Sequence, residues 1–163
     1  MNGVQSRAFV LRTGLSIASS VFFLFQLISG QPAETLTDSR DGKIYYTVAI
    51  GSQIWMAENL DFEMPGSWCY ENNPDHCSQY GRLYTWEAAQ NACPAGCHTP
   101  SEEEWKELEL FLGMPEKEVF GYLYRGEGIG AKLKSENGWD SEDARNNGNN
   151  QSGFSALPGG IRV

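Results

Sequence analysis

Apolar and polar positions change period several times along this chain, and each change marks an element. From Lys43 the segment KIYYTVAIGSQIWM sets Ile44, Tyr46, Val48 and Ile50 on alternate positions among β-branched and aromatic residues. A period of two predicts a strand with one buried face, and these four side chains are expected to point inward. Gly51 and Ser52 form a two-residue connection of the type II′ kind, and QIWM returns as the second strand of a hairpin. The period then lengthens. In YTWEAAQNAC, Trp86, Ala89 and Cys93 fall at i, i+3 and i+7 on one face of a short helix, with Thr85 as N-cap and Pro94 and Gly96 ending it. A second helix starts at SEEEWKELELFLG, where Ser101 and Glu104 make a capping box and three glutamates sit where the helix dipole favours negative charge. Trp105, Leu108 and Leu112 share its apolar face, and Gly113 stops it. Trp55, Trp86 and Trp105 are expected in the core.

Elsewhere the pattern is irregular. Asp61 to Gln79, with Pro65, Gly66, ENNPDH and two cysteines, reads as a long loop pinned by its own cysteines. Beyond Gly113 the chain is rich in glycine and asparagine, so no helix is predicted there, and no repeat of solenoid period occurs.

The first 30 residues stand apart. They carry Arg7 and Arg12, no acid, and an apolar run from Gly14 to Ile28 centred on Val21 to Phe25. That is the pattern of an export signal, with cleavage expected after Gly30 or Ala33. The alternative is an uncleaved inner-membrane anchor, which the shortness of the run and its serines disfavour. Residues 31–40 then read as a polar linker. A secreted or cell-surface location follows.

Charge narrows the partners. The chain holds 12 Lys and Arg against 21 Asp and Glu, and the signal contains two of those cations and none of the acids. A domain this acidic lacks the basic footprint that phosphate neutralisation requires, so nucleic acid is excluded as a partner, and membrane contact is confined to the signal segment.

The segments YYTVAIGSQIWMAENL, CYENNPDHCSQYGRLYTWEAAQNACPAG, HTPSEEEW and GFSALPGG together resemble the Fibrobacter succinogenes major paralogous domain, a family of exported bacterial domains. The likeness runs from Asp41 to Gly160, and the domain is assigned to residues 41–163. The family's fold is similar to the C-type lectin-like and formylglycine-generating-enzyme group. The resemblance implies an α+β domain with an N-terminal β-hairpin, two short helices and long ligand-facing loops. Two departures stand out. Cys97 and Thr99 replace the tryptophan and leucine of the family's CPSGWHLPS, and the chain ends where relatives add closing strands, so the last strands are expected to be missing.

CPAGCHTPS, residues 93–101, carries the most chemistry per residue. Its C-x-x-x-C-H spacing is one residue too long for haem attachment. Cys69, His76, Cys77, Cys93, Cys97 and His98 contain no C-x2-C zinc knuckle, and Cys93 lies at a helix C-terminus, where the dipole disfavours a thiolate. Disulfides are the expectation: Cys69 with Cys77 around YENNPDH, and Cys93 either joined to Cys97 or left free. In lectin-like relatives the cysteine after the first helix often pairs near the C-terminus. His98 and His76 read as structural residues.

WDSEDARNNGNNQSG offers oxygen donors for calcium in Asp140, Glu142, Asp143, Asn147 and Asn149, but a solvated loop explains them better, and no cofactor is assigned. The glutamates at 102–104 are accounted for by helix capping, so no acid and base pair stands out. The reading is a non-catalytic binding module for polysaccharide or a surface protein, with Trp68, Tyr70 and Trp139 as candidate ligand-stacking aromatics. The alternatives are an enzyme or maturation factor like the formylglycine-generating group, and a truncated product without independent function.

Overall fold

A computed structural model describes residues 4–5, 9–11, 32–121, 126–139 and 147–162. In chain order these form strands β1 (Val4–Gln5), β2 (Val10–Leu11), β3 (Pro32–Thr37), β4 (Ile44–Ile50), β5 (Gln53–Met56) and β6 (Ser67–Trp68), followed by a 3-10 turn over Tyr70–Asn72. Helix α1 (Pro74–Tyr80), β7 (Leu83–Tyr84), α2 (Trp86–Ala92), β8 (Cys97–His98), α3 (Glu102–Phe111), α4 (Glu116–Val119) and α5 (Ile129–Leu133) complete the α+β fold. All strand pairings within the two sheets are antiparallel. One sheet has the order β3-β4-β5-β2-β8 and the other β1-β7-β6.

The predicted hairpin forms as β4 and β5, with Ile50 opposite Gln53. Gly51 takes φ 62° and Ser52 stays out of the left-handed region, the pattern of a type II′ turn. Glycine suits this position for its positive φ, and a Cβ would also approach 3.0 Å from the Phe111 ring.

Burial along β4 departs from the simple alternation. Tyr45 and Thr47 are buried, Val48 and Ile50 are buried, but Ile44 and Tyr46 are 58% and 56% exposed. The reason is that the sheet is covered on both faces by different material. Val48 and Ile50 join Trp55, Val10, Leu108, Leu112, Met114, Val119, Ile129 and Phe154 in one cluster. Tyr45 joins Met56, Phe9, Leu60, Tyr84, Ala88, Ala89 and Ala92 in another. Since neighbouring side chains point to opposite faces, α3 to α5 cover one face and α2 the other. The first cover reaches Val48 but stops short of Tyr46 and Ile44.

Both helices predicted from period are present with their caps. Thr85 accepts the Ala88 amide at 3.1 Å, and Ser101 and Glu104 form both halves of the capping box. On α3, Leu108 is fully buried, and Trp105 packs on the first cluster at 5.1 Å from Trp55. Trp86 corrects the expectation: it is 55% exposed, because α2 turns its small residues Ala88, Ala89 and Ala92 to the sheet instead.

Further differences concern stretches without a clear period. Within 61–79, Asn73 caps α1 through the Asp75 amide and Pro74 starts it, so this stretch is not wholly loop. Short helices α4 and α5 lie beyond Gly113, held by the buried Val119 and Ile129. Pro32–Thr37, read as linker, pairs with β4. Its end is fixed by Asp38, fully buried and bound by Arg40 through Nε at 2.8 Å and Nη2 at 2.6 Å. Arg40 also donates to the Ala92 carbonyl at the end of α2 and lies 3.6 Å from the Phe62 ring centroid.

The heart of the apolar run, Val21 to Phe25, lies outside the described residues, whereas Phe9 to Leu11 lie within the larger sheet. Among the described residues no helix is long and apolar enough to cross a membrane.

Two stability predictions follow from this packing. Leu108→Ala should cost about 2–5 kcal/mol in denaturant unfolding, and Leu110→Ala, 42% exposed on the same helix, no more than about 0.5 kcal/mol. The hydrogen bonds from Arg40 hold the Asp38 carboxyl below its ordinary range against the opposing effect of burial. A depressed carboxylate stabilises the fold above its unfolded pKa and loses that contribution as pH falls through the folded one. Asp38→Asn should therefore destabilise by about 2 kcal/mol at pH 7, with the gap to wild type closing progressively below about pH 4 in acid titrations of thermal stability.

Candidate functional site

The uncovered end of the sheet is where the surface turns concave. Tyr46, Thr47, Val48, Ala57 and Glu58 form one wall of a cleft of about 500 Å³, and Asn150, Gly153 and Ser155 form the other. The strand wall is rigid because β4 lies between β3 and β5. Glu58 folds back so that one carboxylate oxygen accepts the Tyr46 backbone amide at 3.1 Å, and both residues line the cleft.

The opposite wall is a loop that the sequence marks only by its Asn, Gly and Ser content. Asn150 and Ser155 adopt left-handed φ of 44° and 56°, an uncommon conformation for residues with side chains. They sustain it by binding each other: the Asn150 amide nitrogen donates to the Ser155 hydroxyl at 2.8 Å, and the Ser155 backbone amide donates to the Asn150 side-chain oxygen at 2.7 Å. Ser152 caps the turn by donating to the Lys132 carbonyl at 2.8 Å and accepting the Phe154 amide. Gly148 passes so close to the Lys134 carbonyl that a Cβ would overlap it. Phe154 then anchors the loop, with its ring 5.7 Å from Trp55 and 6.1 Å from Trp105. The cleft thus offers an aromatic face, a carboxylate, an amide and a hydroxyl. Groups of these kinds are chemically able to stack on and hydrogen-bond a polar ligand bearing hydroxyl groups.

The aromatics singled out from sequence lie elsewhere and are half-buried. Trp68 is covered by the Arg162 guanidinium at 4.6 Å, and Arg162 also binds Asn72 at 2.7 Å. Tyr70 stacks on His76 at 5.6 Å, and Gly160 lies against its ring. Trp139 donates to the Ala156 carbonyl at 2.7 Å and carries the Lys134 ammonium 4.5 Å from its ring centroid. Trp68 and Tyr70 therefore share one surface near the chain end, while Trp139 braces the far side of the cleft loop. Tyr46, the exposed aromatic at the cleft, shares a face with Val48 and Ile50 but lies beyond their cover, and the sequence marks it only as a strand residue.

The structure joins Cys69 to Cys77 and Cys93 to Cys97. The first bridge lines a second cleft, of about 420 Å³, with Asp41, Asp61, Glu63 and Arg82. The second spans the turn between α2 and β8, and Cys97 packs at the edge of the cluster beneath α2.

His98 ties β8 to the first turn of α3: its Nε2 meets a Glu104 carboxylate oxygen at 2.8 Å, while Nδ1 is buried without a hydrogen-bond partner among the described residues. Burial alone would raise the Glu104 carboxyl. Bonds from the Ser101 backbone and His98 outweigh that and hold it below its ordinary range. His76 meets the Tyr70 carbonyl at 3.1 Å.

Of the calcium candidates, Asp140, Glu142 and Asp143 lie outside the described residues. Asn147 accepts the Trp139 amide and Asn149 the Gln151 amide. Among the described residues no group of three or more His, Cys, Asp or Glu could hold a metal ion.

No curated protein and no solved structure matches the chain. The family model of the Fibrobacter succinogenes major domain matches residues 48–163, a stretch that contains β5, helices α1 to α5 and the cleft loop. The chain belongs to the Fibrobacter succinogenes major domain family.

Proposed function

We propose that this domain is an exported, non-catalytic binding module that takes a carbohydrate in the cleft beside Tyr46, on a scaffold of lectin-like type. The observation that carries the reading is Tyr46 itself: a large aromatic on a rigid central strand, 56% exposed, facing a loop held in strained backbone conformation. Exposed aromatic faces stack on the apolar face of a sugar ring, and Glu58, Asn150 and Ser155 supply the acceptor and donor groups that ring hydroxyls need. Strain of this kind concentrates where a surface must be preorganised. The acidity of the chain, with formal net charge −9, fits a neutral or cationic glycan better than an anionic one.

A glycan and polysaccharide array probed with the exported form tests the reading. Binding to a set of neutral or amino sugars is expected, and Tyr46→Ala should weaken the best ligand about tenfold, or about 1.4 kcal/mol. Trp68→Ala should leave it unchanged. A blank array, or equal binding by wild type and Tyr46→Ala, would rule out this cleft.

A further inference from the structure

Two residues bridge the gap between β5 and β8. Val10 pairs with Trp55 on one side and His98 on the other, and Leu11 pairs with Ile54 and Cys97. The Phe9 carbonyl accepts the Met56 amide at 3.2 Å. Phe9 and Val10 are each 2% exposed and enter opposite clusters, Phe9 with Tyr45, Met56 and Tyr84, and Val10 with Val48 and Trp55. Among the described residues, β8 reaches the rest of its sheet only through β2.

This is the geometry of strand addition. Backbone hydrogen bonds on both edges give affinity, and pockets on alternate faces select the side chains. Here the added strand comes from a segment with the sequence pattern of an export signal, which processing after Gly30 or Ala33 would separate from the domain. Loss of the cut segment would expose the facing edges of β5 and β8 and uncover Trp55 and Met56, both otherwise within 2% of full burial. Unpaired edges flanked by apolar pockets attract another strand.

We propose that the gap between β5 and β8 is a strand-docking site, filled in cis by Phe9–Leu11 and, once the signal is removed, by an extended peptide of the same chemistry. The peptide carries a large apolar residue followed by a β-branched one, and runs antiparallel to both neighbours. Charge sets its flank. Glu104 and Glu107 line the cleft beside Val10 and Leu11 with Ser52 and Gln53, favouring a cationic residue after the apolar ones. The chain's own order, Leu11 then Arg12, has that character. This site is separate from the cleft at Tyr46, so either reading can fail without the other.

The test uses the full chain with a specific protease site inserted after Gly30. The protein is cut, unfolded with its disulfides intact, freed of the leader fragment and refolded with a labelled peptide of sequence SRAFVLRT, residues 6–13. Saturable one-to-one binding by anisotropy, with a rise in thermal midpoint, is expected. The peptide carrying Val10→Pro should bind at least tenfold more weakly, because proline has no amide to donate to either edge. The uncut chain should not bind the peptide, its site being filled. If the cut domain fails to refold alone, rescue by SRAFVLRT and not by the proline peptide supports the proposal equally. Absence of both binding and rescue, or equal binding by cut and uncut chains, would overturn it.

Discussion

Trp55 stands wholly inside the protein with its ring against those of Trp105 and Phe154, at centroid distances of 5.1 and 5.7 Å. Its indole nitrogen donates to the Gln53 side-chain oxygen at 3.1 Å, and Gln53 in turn donates to the Glu104 carbonyl at 3.0 Å. One side chain on β5 thereby fixes three things: the tilt of α3 over the hairpin, the seat of the cleft loop, and a polar tie between strand and helix. Aromatic contacts of this geometry contribute about 0.5–1.5 kcal/mol each beyond the area they bury. The chain from β5 through Phe154 to Asn150 and Ser155 is the physical link between core packing and the cleft.

The sheet can carry two unlike covers because its central strands are apolar on both faces. On one side large side chains interlock; on the other, alanines let α2 approach closely, with Tyr45 and Tyr84 filling the space between. Burial pushes the Tyr45 phenol up to about 12, so it stays neutral and accepts the Asp61 amide at 3.2 Å. Arg40 closes that side by joining Asp38, the end of α2 and the Phe62 ring. The polar groups at this boundary are paired, as the low dielectric around them demands.

Local chemistry made some elements legible and left others hidden. The hairpin turn needs a glycine that the sequence displays, and both helix caps use side chains with only one good role at that position. The cysteine pairing within each local loop fits the spacing, although spacing alone left Cys93 open. What stayed hidden depends on distant partners. Alternation along β4 does not say where the covering layer ends, so Tyr46 looked like core. A seven-residue helix such as α1 has too few positions for a period, and its visible signal was only Asn73 followed by Pro74. The docking of Phe9–Leu11 between β5 and β8 is nonlocal, and an export pattern over the same residues pointed elsewhere. Trp86 misled because α2 packs on alanines and its largest residue is left outside.

The central claim is that Phe154, held by Trp55 and Trp105, seats the cleft loop on the sheet. Amide hydrogen exchange of Phe154→Ala beside wild type measures this most directly. The account predicts that the amides of Gly148, Asn150, Ser152, Gly153 and Ser155, which are hydrogen-bonded in the structure, lose protection while those of β4 and β5 keep most of theirs. Unchanged protection across residues 148–155, or an equal loss in loop and sheet, would contradict it.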